Sequence, residues 1–136
     1  MLEQYLQNLC SDLELPPPAP KDENKHYFLM LPPQIKVSLK ELDPGYYLHA
    51  TIGPCPTLKK EDLFIFLMKA NFLGQGTGGS TIGLSDDENF LTLSLAIPYD
   101  MNYKSFRDTI EDFANYIDFW REELKRHQKA AESGPF

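Results

Sequence analysis

A chain of 136 residues, 42% hydrophobic and 12% aromatic, is long enough for one α+β domain with its own core and too short for two ordinary ones. Its formal net charge of −7 repels phosphate backbones and anionic lipid, which argues against nucleic acid and membrane as partners and favours attraction of basic polypeptides. Cys10 and Cys55 stand far apart with no Cys-x-x-Cys spacing, the pattern of reduced thiols rather than a disulfide framework.

The opening residues Met1-Leu2-Glu3-Gln4 carry neither a basic leader nor an apolar signal core, so a cytoplasmic chain is expected. Leu2, Tyr5, Leu6, Leu9 and Leu13 recur at helical spacing, and Pro16-Pro17-Pro18 ends that first helix at Leu15. Residues 16–25 form a stiff polar connector. Three strands are predicted next, His26 to Leu31, Ile35 to Leu42 and Tyr46 to Ile52, with Asp43-Pro44-Gly45 turning the last pair into a meander.

Thr57 is placed to cap a second helix running to Leu73, with Glu61 and Asp62 in its first turn. Gly74-Gln75-Gly76-Thr77-Gly78-Gly79-Ser80 breaks it. Two strands follow, Thr81 to Leu84 and Phe90 to Ile97, and the second alternates Leu91, Leu93, Leu95 and Ile97 with smaller residues. A long last helix from about Asn102 carries Phe106, Ile110, Phe113, Ala114, Ile117, Trp120 and Leu124 on one stripe. The domain is expected over residues 1–130, with residues 130–136 fraying and 131–136 a flexible tail. The order α-β-β-β-α-β-β-α predicts a twisted five-stranded antiparallel sheet packed with three helices.

Few patterns point to chemistry. Gly74, Gly76 and Gly79 match G-x-G-x-x-G, but a dinucleotide site needs a strand before and a helix after, and here that order is reversed. A helix C-cap and flexible turn explain the glycines. His26, His49 and His127 have no Cys or carboxylate at ligand spacing, and Asp86-Asp87-Glu88 lacks the alternation of a calcium loop. Neither a nucleophile elbow nor a Cys/His pair is present. No catalysis, cofactor or metal is expected.

The unusual feature is apolar surface in excess of one small core. On the second helix Leu63, Phe66, Leu67, Ala70 and Leu73 share one side, while Phe64, Ile65, Met68 and Phe72 lie almost opposite. One face can pack on the sheet, and the other calls for a second copy in a two-fold dimer or for the last helix folding over it. Tyr27 to Leu31 is also apolar at every position, and Met30 with its aromatic neighbours makes an adaptable surface.

The stretch Ala70-Asn71-Phe72-Leu73-Gly74-Gln75-Gly76-Thr77-Gly78-Gly79-Ser80-Thr81-Ile82-Gly83-Leu84 resembles the signature of class I type III secretion chaperones, the Tir chaperone family. Phe90 to Pro98 and the acidic-aromatic helix ending Phe119-Trp120-Arg121 resemble it too, as does the element order. The resemblance implies a Gram-negative cytoplasmic chaperone that uses no nucleotide or metal. It would pair with itself or a related chaperone, keep the N-terminal segment of a secreted effector extended, and present it to the export apparatus. An adaptor or regulatory subunit of that apparatus is the alternative. By the family pattern Phe64, Ile65, Met68, Phe72, Ile82 and Leu84 would form the dimer interface. Leu2, Tyr5, Leu6, Leu9, Phe28, Met30, Val37 and Leu48 would contact the effector.

Overall fold

The computed structural model describes residues 1–72 and 76–133. Its elements are α1 (Leu2–Asp12), β1 (His26–Leu31), β2 (Ile35–Glu41), β3 (Tyr46–Pro54), α2 (Lys60–Asn71), β4 (Thr81–Leu84), β5 (Phe90–Ile97) and α3 (Tyr103–Ser133). The strands form one antiparallel sheet in the order β1-β2-β3-β5-β4. This is the predicted α+β architecture.

Alternation along each strand divides the sheet into two unlike faces. One row runs through Leu29, Val37, Ala50, Leu93 and Ile82 by successive cross-strand pairing, and every member is buried. The parallel row through Phe28, Ser38, His49, Ser94 and Thr81 faces the other way, and all five are half-buried or exposed. All three helices cover the apolar face. Leu2, Leu6 and Leu9 of α1, Leu63 and Leu67 of α2, and Phe106, Ile110, Phe113, Ile117, Trp120 and Leu124 of α3 join the inward strand residues in a single cluster. Among the described residues no helix lies on the opposite face.

Helix boundaries depart from expectation where local chemistry intervenes. α1 stops at Asp12, and Glu14 takes a left-handed conformation before Leu15 donates to the Cys10 carbonyl (2.8 Å). Thr57 is not the cap of α2. Lys59, itself left-handed (φ 50°), turns the chain, and the helix begins at Lys60 without a side-chain cap. The helical residues of α2 end at Asn71, and the predicted end at Leu73 lies outside the described residues. At α3 the Asn102 side chain accepts from the Ser105 N–H (2.8 Å), which satisfies one of the unpaired donors of the first turn. That helix continues through residues 130–133, which the sequence reading assigned to a fraying end, with Ser133 bonded back to the Lys129 carbonyl.

Two contacts from α3 fix the sheet and the glycine turn. β3 is bulged between Thr51 and Gly53, and Arg121 Nε donates to the Ile52 carbonyl there (3.0 Å) while its Nη1 reaches the Gln34 carbonyl in the β1–β2 loop (3.1 Å). Trp120 Nε1 donates to the Gly76 carbonyl (3.0 Å). Gly78 sits at φ +64° with the Tyr116 ring 2.3 Å from where a Cβ would stand. Only glycine fits there.

Candidate partner-binding surfaces

The sheet has two edges, and they are finished differently. In the β4–β5 ladder Ile82 lies opposite Leu93, and its own N–H and C=O point away from β5. The Asn71 side chain takes both: the Ile82 N–H donates to Oδ1 (2.8 Å), and Nδ2 donates to the Ile82 carbonyl (2.9 Å). Its amide thus imitates a neighbouring strand. Thr77 does the same at Ser80, where its buried hydroxyl donates to the Ser80 carbonyl and its own carbonyl accepts the Ser80 N–H (3.1 Å). Ile82 on the β4 edge and Ser80 just before the strand are therefore closed by side chains and turn backbone.

On β1 only the first outward position is closed in this way. The His26 N–H donates to Asp22 Oδ1 (2.9 Å), and the His26 carbonyl accepts the Asp22 N–H (2.9 Å). Strand alternation then makes Phe28 and Met30 the next residues whose N–H and C=O face away from β2. Among the described residues nothing hydrogen-bonds to those four groups. The connector prolines Pro16, Pro17 and Pro18 run alongside, leaving a cleft of about 190 Å³ against Phe28 and Met30. Having no N–H, they cannot donate to this edge.

The side chains of the same two residues are exposed on the uncovered face, Phe28 at 43% and Met30 at 58%. Lys36 Nζ stands 4.7 Å above the Phe28 ring, within cation–π range. Tyr47 and His49 stack at 6.4 Å with rings 13° from parallel. His49 Nδ1 lies 3.0 Å from Ser94 Oγ, and burial together with the neighbouring His26 holds this imidazole below its ordinary range.

A second exposed surface lies on α2 and β4. Ile65 (54%), Met68 (72%) and Phe72 (64%) are open to solvent, Phe64 is half-buried, and Leu84 is exposed. Phe64, Met68, Ile82 and Leu84 line one groove of about 280 Å³ with Asn71 at its edge. The other side of the helix turns inward through Leu63 and Leu67, while Phe66 meets the Trp120 ring at 5.7 Å. α3 does not reach the outer side, so that alternative for covering it is excluded.

Of the residues assigned to the dimer interface, Phe64, Met68, Ile82 and Leu84 share this groove, with Ile82 as its buried floor, while Ile65 and Phe72 are exposed outside its lining. Those assigned to effector contact do not come together. Phe28 and Met30 are accessible, and Tyr5 is half-buried with its hydroxyl on the Met101 carbonyl (2.8 Å). Leu2, Leu6, Leu9, Val37 and Leu48 are at most 1% exposed. The α1 stripe is the face that packs on the sheet, and Val37 and Leu48 belong to the inward row beneath it, so a partner cannot reach these five while the domain stays folded. Sequence reasoning missed Asn71, Thr77 and Asp22. For Asn71 the available signal was a polar residue inside an otherwise apolar helical run.

Among the described residues no group of three His, Cys, Asp or Glu side chains is arranged to hold a metal ion, and no helix is long and apolar enough to cross a membrane. A cavity of about 490 Å³ between α1 and α3 has an apolar floor and a rim holding Asp12 and Arg107, 3.8 Å apart. Tyr103 donates to the same Asp12 carboxylate, and burial with this acceptor pushes its pKa up to about 12, leaving it a protonated structural donor.

Residues 4–121 match the Tir chaperone protein (CesT) family, a span that includes the glycine turn, both sheet edges and the buried stripe of α3 as far as Arg121. The chain belongs to that family. A Chlamydia pneumoniae protein designated CPj0713/CpB0740 is 27% identical over 126 residues, covering 91% of this chain and 96% of its own. The fold is similar to that in the crystal structure of the ExsC–ExsE complex, with a TM-score of 0.73 at 19% identity over 89% of this chain and 91% of that one. It also resembles the heterodimeric ExoU–SpcU complex from the type III secretion system of Pseudomonas aeruginosa, with a TM-score of 0.65 at 14% identity over 91% and 94%.

Replacing the strand-like amide tests the sealed edge directly. Asn71→Leu keeps the volume and removes both hydrogen bonds, which exposes the Ile82 N–H at a cost of about 1–3 kcal/mol. Exchange of the Ile82 amide is expected to accelerate about tenfold or more in native-state hydrogen exchange. An unchanged rate would mean that Asn71 does not close this edge.

Proposed function

We propose that this Tir chaperone family member is an effector-binding chaperone of type III secretion that holds the N-terminal segment of a secreted protein extended along β1. The observation that carries this reading is the unpaired edge at Phe28 and Met30, where free backbone donors and acceptors coincide with exposed apolar side chains. A strand laid there gains backbone hydrogen bonds and apolar anchors together. Ordering an extended segment costs about 2–5 kcal/mol of the gross interaction, so the contact must be long, and a dimer offers two such edges to one wrapped chain. The α2–β4 face is the dimer contact in this reading, with the same chain or a related chaperone as its partner. The protein works in the cytoplasm of a Gram-negative bacterium, hands its cargo to the export apparatus and catalyses no reaction.

The test is co-expression with the N-terminal region of an exported protein encoded beside this gene. The two are expected to co-purify, and Phe28→Asp is expected to abolish the association while leaving circular dichroism unchanged. Capture of apparatus components without any exported segment would replace this reading with that of an adaptor.

A further inference from the structure

We propose that the uncovered sheet face beside β1 selects a segment carrying carboxylates, so that this acidic chain grips an acidic and not a basic stretch of its partner. The inference rests on the chaperone reading only in taking β1 as the docking edge. The chain has 20 Asp and Glu residues, yet none occupies an outward-facing strand position. The charged or chargeable residues there are Lys36, Lys40, His26 and His49. Asp22 approaches His26 at 3.9 Å from the connector, and Glu41, at the end of β2, is engaged with the N-terminus of α1. Neither Lys36 nor Lys40 has a carboxylate within ion-pair distance among the described residues.

The placement of Lys36 gives the preference its geometry. Its Cα lies on β2 opposite Met30, but its ammonium leans across the Phe28 ring toward the open edge. An added strand lies about 4.8 Å beyond β1, so a Glu side chain reaching back from it meets an ammonium already carried halfway. On a strand with alternating apolar and acidic residues the carboxylates would share the uncovered face with Lys36, and with Lys40 further along it, their aliphatic stems lying over Phe28 and Met30. The apolar side chains would turn toward the cleft beside the connector prolines. The net charge of −7 describes the helical side and loops and does not describe this face.

Two labelled synthetic peptides on one alternating valine frame test the preference, one with glutamate and the other with lysine at the intervening positions. Fluorescence anisotropy with the full chain, at matched ionic strength, is expected to give about fivefold or more tighter binding of the glutamate peptide, two exposed ion pairs being worth about that much. Lys36→Glu with Lys40→Glu is expected to reverse the order. Tighter binding of the lysine peptide, a glutamate preference that survives the double substitution, or binding of neither peptide would overturn the inference. If the lysine peptide wins and Phe28→Asp still abolishes its binding, β1 stands as the docking edge and the charge preference alone falls.

Discussion

Met68→Asp combined with Phe72→Asp is expected to turn a dimer into a folded monomer, read by sedimentation equilibrium as a fall from about twice the 15.6 kDa chain mass to the chain mass itself. Ile65, Met68, Phe72 and Leu84 are each more than a third exposed, and their remaining apolar area is worth about 1–2 kcal/mol apiece on burial. Summed over two subunits that is of the order of the 4–15 kcal/mol that association costs, so the interface has little to spare. Two carboxylates at its centre both remove anchors and place unpaired charges where burial must occur. Inside the subunit little changes, because Met68 and Phe72 lie outside the core cluster to which Leu63, Leu67 and Ile82 belong. A wild-type chain that stays monomeric at high concentration, or a double variant that stays dimeric, would remove the α2–β4 face from the account.

That the two sides of α2 have different fates was legible in the sequence, because helical periodicity assigns each residue an angle. Leu63 and Leu67 went inward, and Ile65, Met68 and Phe72 outward, as the wheel required, but the flanks crossed over. Phe66, placed on the inner side, is 48% exposed beside Trp120, and Phe64, placed on the outer side, is half-buried against the core. The strands were legible for the same reason, and β1, β4 and β5 begin and end where turn residues and alternation put them. What periodicity cannot give is the identity of the cover. The α1 stripe and the β2 and β3 alternation are apolar faces whether a partner or the domain itself buries them. The assignment of Leu2, Leu6, Leu9, Val37 and Leu48 to effector contact failed at that step. β1 was hidden differently. Tyr27 to Leu31 is apolar throughout, so composition obscured an alternation that the hairpin register restores, with Tyr27, Leu29 and Leu31 in and Phe28 and Met30 out.

The edges lay further beyond reach, since they are properties of hydrogen-bond direction. A polar residue in an apolar run marks Asn71 as unusual, but residue types alone do not give the direction in which its amide faces Ile82. That contact depends on the turn holding β4 beside the end of α2, and the turn in turn depends on Gly78 against Tyr116 and Gly76 beneath Trp120. The glycine signature of the family therefore has a physical task in this chain: it brings a helix end to a strand edge and closes it. With β4 closed at Ile82 and β1 open at both Phe28 and Met30, the β1 side offers an extended segment the longer run of free backbone groups.

Met30→Pro isolates that consequence. The Met30 N–H faces away from β2, so proline removes no ladder bond, and Leu29 before it is already in the extended conformation proline demands. The hairpin is expected to survive with a stability change within about 1 kcal/mol. An added strand, by contrast, loses a central donor and meets the proline ring at its closest approach, and capture of the exported segment is expected to weaken about tenfold or more. Leu29→Pro is the contrasting variant. Its N–H points at β2 opposite Val37 and its side chain is buried, so that substitution breaks the ladder and is expected to cost about 3 kcal/mol or more of folding stability. A Met30→Pro protein that folds and still binds with full affinity would show that the partner grips side chains and never joins the sheet.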